Sequence, residues 1–185
     1  MEELSLNILD IVQNSISANA TGIDIEIVED DATNLLMIRV EDNGKGMDED
    51  FLKKVQNPFI TTRTTRKVGL GISFLKEAAE MTGGALKITS KPGVGTEIIS
   101  NFVKDHIDRQ PLGNVAETIT TLVTLNPDIE FSLAYRVNNG QFNFTTREVK
   151  EMLGEDVSIS NPAVASFLSE YLREHIEKLA KERIK

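Results

Sequence analysis

The sequence predicts an α+β fold in which amphipathic helices accompany a mixed, mostly antiparallel sheet. Three observations support this class: a helical period over residues 2–19, two strand-like segments at 23–28 and 35–40, and a later helix that is again followed by two strands. In the first segment apolar residues return about every 3.6 positions, as they do on the buried face of a helix. In the second, apolar and polar residues alternate, which is typical of a half-buried strand.

Caps and turn residues delimit the other elements. A glycine pair at 83–84 closes one helix, and Asn138-Asn139-Gly140 predicts a β-hairpin. Helix caps are expected from the acids at 48–50, from Asn114 with Glu117, and from Thr146. The expected helices are 2–19, 48–55, 69–82, one from Asn114 to a break at Asn126-Pro127, 146–153, and a long final helix from Pro162. The expected later strands are 85–91, 95–103, 129–137 and 141–144.

Composition limits the class of protein. The 185 residues contain no cysteine, which excludes disulfides, thiolate catalysis and cysteine-ligated metal sites. A net charge of −9 opposes general affinity for nucleic acid or for anionic membranes, so neither is expected as a partner. No apolar run approaches about 20 residues, and a cytoplasmic protein is therefore expected. The composition changes near residue 105, which suggests one domain at 1–104 and a C-terminal extension at 105–185 made of a helix, a hairpin and the final helix.

Most common catalytic signatures are absent from the sequence. It contains neither a GxxxxGK[ST] phosphate loop nor an HExxH motif, and no GxSxG elbow. The two histidines, His106 and His175, are far apart in sequence and are expected to be solvated surface residues.

Three glycine-centred segments remain as candidates for binding. They are Asp42-x-Gly44-x-Gly46, Gly69-x-Gly71 and Gly93-x-Gly95-Thr96. Backbone amides without side-chain bulk can approach an anion closely, most of all where a helix begins. Residues 57–73 hold three bases and no acid, which is what a polyphosphate would need in a protein of negative net charge.

The order of these segments resembles the GHKL superfamily of ATP-binding domains, which includes gyrase, heat-shock chaperones, histidine kinases and MutL. The segment DIVQNSISANATGIDI at 10–25 is similar to the MutL-type motif ELVxNSxDAGATxIxI. The segments NPFITTR at 57–63, GLGIS at 69–73 and GVGT at 93–96 are similar to sensor histidine kinases. The resemblance covers residues 4–103 and implies a two-layer α/β sandwich of the Bergerat type, with the helices at 2–19 and 69–82 on one face of the sheet.

The resemblance also implies roles at matching positions. Asn14 would help to hold a magnesium ion that bridges the phosphates of ATP, and Asp42 would accept a hydrogen bond from the adenine amino group. Gly44 and Gly46 would let the backbone pass the base. Met47 and Thr96 would lie near adenine. The amides of Gly69, Leu70 and Gly71 would face the phosphates, and residues 56–68 would form a lid. Candidate phosphate contacts are Thr62, Arg63, Arg66 and Lys67.

Two positions depart from the pattern. Asp10 stands where hydrolysing members carry glutamate, so its carboxylate is one methylene shorter. It remains the candidate general base, but slow turnover is expected because a displacement of about 1 Å can cost on the order of 100-fold in rate. Ser17 replaces the acid of the MutL motif, which weakens the case for MutL-like chemistry.

Four hypotheses follow from these observations. The chain is a kinase-like subunit that phosphorylates a partner protein in trans, an ATP-driven conformational switch with slow hydrolysis, an ATP-binding regulatory module without turnover, or an interaction domain that binds no nucleotide. A histidine kinase would carry its phospho-acceptor histidine before this domain, where only three residues precede Leu4, so an acceptor on another protein is expected. A homodimer is also considered.

Overall fold

A six-stranded sheet runs through the structure, a computed structural model that describes residues 3–56, 70–154 and 156–182. The strands are β1 (Gly22–Asp30), β2 (Leu35–Asp42), β3 (Ala85–Lys91), β4 (Gly95–Val103), β5 (Glu130–Val137) and β6 (Gly140–Thr145). The helices are α1 (Leu4–Ser17), α2 (Glu49–Gln56), α3 (Leu70–Met81), α4 (Val115–Leu125), α5 (Thr146–Leu153) and α6 (Pro162–Glu182).

The strand order is β3-β4-β2-β1-β5-β6. Four of the neighbouring pairs are antiparallel, and β1 pairs with β5 in parallel. The predicted mixed, mostly antiparallel sheet is therefore confirmed. The C-terminal strands join this sheet directly, because Ile23 of β1 lies beside Phe131 of β5.

Helices cover one face of the sheet and form the second layer of the predicted sandwich. Helix α3 packs on β3, β4 and α1; α1 packs on α4; and α4 packs on α6, which lies over β5 and β6. Along β2 the buried positions alternate strictly, so Leu36, Ile38 and Val40 face this helix layer. The opposite face is charged: Arg39 contacts Glu97 there through Nε at 2.6 Å. The α+β class and the two-layer arrangement are confirmed.

Helix caps follow the predictions with one exception. Asn114 Oδ1 accepts a hydrogen bond from the Glu117 amide at 3.1 Å, and Asp48 Oδ1 accepts one from the Phe51 amide at 2.7 Å. The prediction that Thr146 caps α5 is wrong, because the hydroxyl of Thr145 accepts from the Glu148 amide. Two adjacent threonines satisfy the same local pattern, and the Thr146 hydroxyl instead accepts a hydrogen bond from the Phe131 amide at 2.9 Å.

The final helix packs back on the sheet through Leu168, Leu172 and Leu179. His175 is consequently half-buried rather than solvated as the sequence suggested, and its ring stacks on Phe142 of β6 with centroids 4.7 Å apart. Over the described ranges 3–56, 70–154 and 156–182, no helix combines the length and the apolar character needed to cross a bilayer.

Candidate functional site

A row of polar side chains interrupts the apolar face of the sheet beneath the helix layer. Asp42 continues the buried series of β2 and is only 9% exposed. It lies opposite Thr96 of β4, which in turn lies opposite Ser90 of β3. Directly opposed residues of antiparallel strands point to the same face. Asp42, Thr96 and Ser90 therefore form one line across three strands, which we call the polar row.

Two donors hold the carboxylate of Asp42. The Ser15 hydroxyl of α1 donates to Oδ2 at 2.7 Å, and the Gly44 amide donates to Oδ1 at 2.9 Å. Each oxygen of an ionised carboxylate can accept more than one hydrogen bond. The side chain is therefore fixed in orientation while it retains acceptor capacity for a ligand.

The loop that follows Asp42 is fixed between the end of α1 and the turn joining β3 to β4. The Lys45 amide donates to the Ala18 carbonyl at 2.9 Å, and the Lys45 carbonyl accepts from the Gly93 amide at 2.8 Å. Gly46 has φ +66°, and a Cβ there would lie 2.0 Å from the Lys91 carbonyl oxygen. Glycine is therefore required here because two segments of backbone approach each other closely; the approach of Gly46 to a ligand base stays a prediction.

Ser90 links this loop to the polar row. Its hydroxyl accepts a hydrogen bond from the amide of half-buried Met47 at 2.9 Å, and it lies 2.9 Å from both the Gly95 carbonyl oxygen and Thr96 Oγ1. The sequence patterns assign no role to Ser15 or Ser90. For Ser90 a signal existed, because it follows Leu86 and Ile88 on the apolar side of the β3 alternation.

Asp10 and Asn14 lie one turn apart on α1, with Asp10 exposed and Asn14 half-buried. Asp10 sits against the first turn of α3: a Cβ built on Gly71 would be 2.8 Å from Asp10 Cβ and 3.1 Å from its Oδ2. The structure therefore places the candidate base beside the start of α3. Asp10 is on α1, the helix that also carries Ser15, whose hydroxyl donates to Asp42.

Several predicted contacts lie outside the described residues. They are Thr62, Arg63, Arg66, Lys67 and Gly69, together with the rest of the predicted lid beyond Gln56. Leu70 is the first residue of α3. These assignments stay predictions.

The protein oxygens in this region could hold magnesium only together with oxygens from substrate phosphates and water. Within residues 3–56, 70–154 and 156–182 there is no group of three or more histidine, aspartate or glutamate side chains that could hold a metal ion. Magnesium is commonly held by one or two protein oxygens together with substrate phosphates and water. The amide oxygen of Asn14, near the Asp10 carboxylate on the same helix, is compatible with that arrangement.

Comparisons with known proteins agree with this geometry. Residues 2–106 match the family described as histidine kinase-, DNA gyrase B-, and HSP90-like ATPase, which confirms the resemblance predicted from the motifs. A sensor histidine kinase, YvrG of Bacillus subtilis (strain 168), is 30% identical over 98 residues, which are 51% of this chain and 17% of that protein. The chain thus spans less than a fifth of that relative's length.

Two solved structures share the fold beyond the family match. The Aquifex aeolicus MutL ATPase domain complexed with ADP aligns with a TM-score of 0.51 and 19% identity, over 83% of this chain and 69% of that one. The N-terminal domain of a DNA repair protein aligns with a TM-score of 0.53 and 19% identity, over 78% and 52%. At these identities the likeness supports the fold alone.

Proposed function

This chain belongs to the family of histidine kinase-, DNA gyrase B- and HSP90-like ATPases, and we propose on that premise that it binds ATP with Mg²⁺. We propose further that it transfers the terminal phosphoryl group to a partner protein, as a kinase-like regulator in signal transduction. The observation that carries the proposal is the buried carboxylate of Asp42, which two donors orient at the edge of the core.

Asp42 supports recognition of adenine because it offers only acceptors. A carboxylate in a desolvated position favours a ligand group that donates hydrogen bonds, as an exocyclic amine does. Thr96 lies directly across the strand pair, and Met47 packs against the hydrophobic core beside the loop. These side chains provide a mixed polar and apolar surface of the kind that holds a base.

Asn14, Asp10 and the start of α3 support binding of the phosphates. Helix N-termini present amides that favour anions, and Gly71 adds no side chain at that end of α3. Asn14 would hold the magnesium ion, which when bound neutralises charge on the phosphate oxygens. Asp10 is exposed beside this region and would take a proton from an incoming nucleophile.

The transfer step would leave ADP and a phosphorylated partner. The bond between the γ-phosphorus and the β–γ bridging oxygen breaks, a bond forms between that phosphorus and the acceptor atom, and Asp10 accepts the acceptor's proton. An acceptor on another protein is favoured by the positions of the chain's two histidines. His106 follows the end of β4 remote from Thr96, and His175 stacks on β6.

The second candidate is an ATP-driven switch with slow hydrolysis. It is favoured by the packing of α4 on α1, since α1 carries Asp10, Asn14 and Ser15. A shift of α1 on nucleotide binding would reach the C-terminal helices through this contact. In this case the γ-phosphate would pass to water and appear in solution.

Phosphate accounting with γ-labelled ATP distinguishes the candidates. Kinase activity predicts acid-labile or acid-stable label on an added partner protein, and the acid sensitivity reports whether nitrogen or oxygen was phosphorylated. Free phosphate without labelled protein would support the switch, and the absence of both products would support a binding module.

Asp10→Asn should abolish the transfer while ATP still binds, and Gln13→Ala on the same exposed surface of α1 is the matched control. Failure of the wild-type chain to bind ATP would contradict every version of the proposal.

A further inference from the structure

Ser90 is the member of the polar row to which the proposed function gives no role. Its single hydroxyl has three partners: the Met47 amide, the Gly95 carbonyl oxygen and Thr96 Oγ1, each at 2.9 Å. A serine hydroxyl has one proton to donate and two lone pairs that accept. Three partners therefore use its full hydrogen-bonding capacity.

The chemistry of the three partners decides where the protons lie. The Met47 amide can only donate to Ser90, and the Gly95 carbonyl oxygen can only accept from it. If Ser90 gave its proton to Thr96, the Ser90 hydroxyl oxygen and the Gly95 carbonyl oxygen would lie 2.9 Å apart with no proton between them. The arrangement in which all three contacts are hydrogen bonds has Ser90 donating to Gly95 and Thr96 donating to Ser90.

The Thr96 hydroxyl then presents lone pairs alone to its other neighbours. It lies beside Asp42 on the same face of the sheet, so these two members of the polar row are both acceptors. From this we infer that Ser90 is a positioning residue: by taking the Thr96 proton it makes the row favour a base edge that carries an amino group over one that carries a keto oxygen. This inference rests on the proposed binding of ATP.

Inosine triphosphate provides the test, because its base carries a keto oxygen where adenine carries the amino group. The dissociation constants of ATP and inosine triphosphate are measured by displacement of a fluorescent ATP analogue. In Ser90→Ala the Thr96 hydroxyl is free to turn and donate, so the preference for ATP should fall by about five- to tenfold. Thr89→Ala, at the neighbouring exposed position of β3, should retain the wild-type preference.

A double-mutant comparison separates positioning from a general loss of structure. If Ser90 acts through Thr96, then Ser90→Ala should not change the preference further in a Thr96→Val background. Should Ser90→Ala lose its cooperative thermal transition, Thr96→Ser and Thr96→Val take its place: the first should keep the preference and the second should reduce it. An unchanged preference in Ser90→Ala, or in Thr96→Val, overturns the inference while leaving ATP binding intact. Wild-type protein that binds no ATP overturns the proposed function as well.

Discussion

Ser15 Oγ donates to Asp42 Oδ2 at 2.7 Å, and this contact joins the first helix to the end of β2. Both residues are buried, so the hydrogen bond lies where solvent does not compete for it. Asp10, on the same helix as Ser15, lies against Gly71 in the first turn of α3, where the phosphates are proposed to bind. Helix α1 therefore connects the part of the site proposed to bind the base with the part proposed to bind the phosphates.

Replacing Ser15 by alanine should weaken ATP binding by about ten- to a hundredfold, because a hydrogen bond to a charged group contributes about 1.5–3 kcal/mol and the carboxylate loses its fixed orientation. Isothermal titration with Mg-ATP measures the change. Ser17→Ala is the matched control, since the Ser17 hydroxyl is exposed and donates to the Gln13 carbonyl on the same helix. Equal affinities for the Ser15 variant and the wild type would show that Asp42 needs no support from α1.

Asp42→Asn should abolish the stabilisation of the protein by Mg-ATP. The substitution replaces one acceptor oxygen by an NH₂ donor, which opposes the adenine amino group. In the wild type, ATP at 100 times its dissociation constant should add about 2.7 kcal/mol to the free energy of unfolding. Thermal unfolding with and without nucleotide measures the difference, and Asp50→Asn, an exposed acid on α2, is the control. A normal shift in the Asp42 variant would refute its assignment to the base.

Asn14→Ala should remove the dependence of ATP binding on magnesium. The variant loses the amide oxygen proposed as the metal's protein ligand, so ATP affinity should become equal in magnesium and in EDTA. Gln13→Ala removes a neighbouring exposed amide and should keep the dependence. If the Asn14 variant still binds ATP more tightly with magnesium, another residue holds the ion.

Gly46→Ala should destabilise the protein far more than Gly93→Ala. Both glycines have positive φ, +66° and +73°, so each alanine incurs about 1–2 kcal/mol of left-handed strain. Only the Cβ at position 46 meets backbone, 2.0 Å from the Lys91 oxygen, whereas nothing lies within 4 Å at position 93. Urea denaturation compares the two variants. Similar losses of stability would mean that the loop can move away from β3 at little cost.

Local patterns predicted most of the elements because their signals lie within a few residues. The period of α1 and the turn at Asn138-Asn139-Gly140 are examples, and both elements are found as predicted. The error at the cap of α5 has the same origin, since Thr145 and Thr146 are equivalent in sequence and only contact with Phe131 separates them.

The polar row could not be predicted in this way because it depends on which strands become neighbours. Asp42, Thr96 and Ser90 align only because β2 pairs with β4 and β4 with β3. Motif resemblance identified Asp42 and Thr96, but it assigned nothing to the two serines that hydrogen-bond to them. The place of Ser90 follows from strand register, and that of Ser15 from the packing of α1 against the end of β2; no local window contains either.

The parallel pairing of β1 with β5 has a consequence for expression of the family-matched segment by itself. A fragment ending at residue 106 would leave one side of β1, with Ile23, Ile25 and Ile27, as an unpartnered border of the sheet. Such a border recruits strands from other molecules and promotes aggregation. A soluble protein that binds nucleotide should therefore require the C-terminal eighty or so residues, because β5 covers the edge of β1.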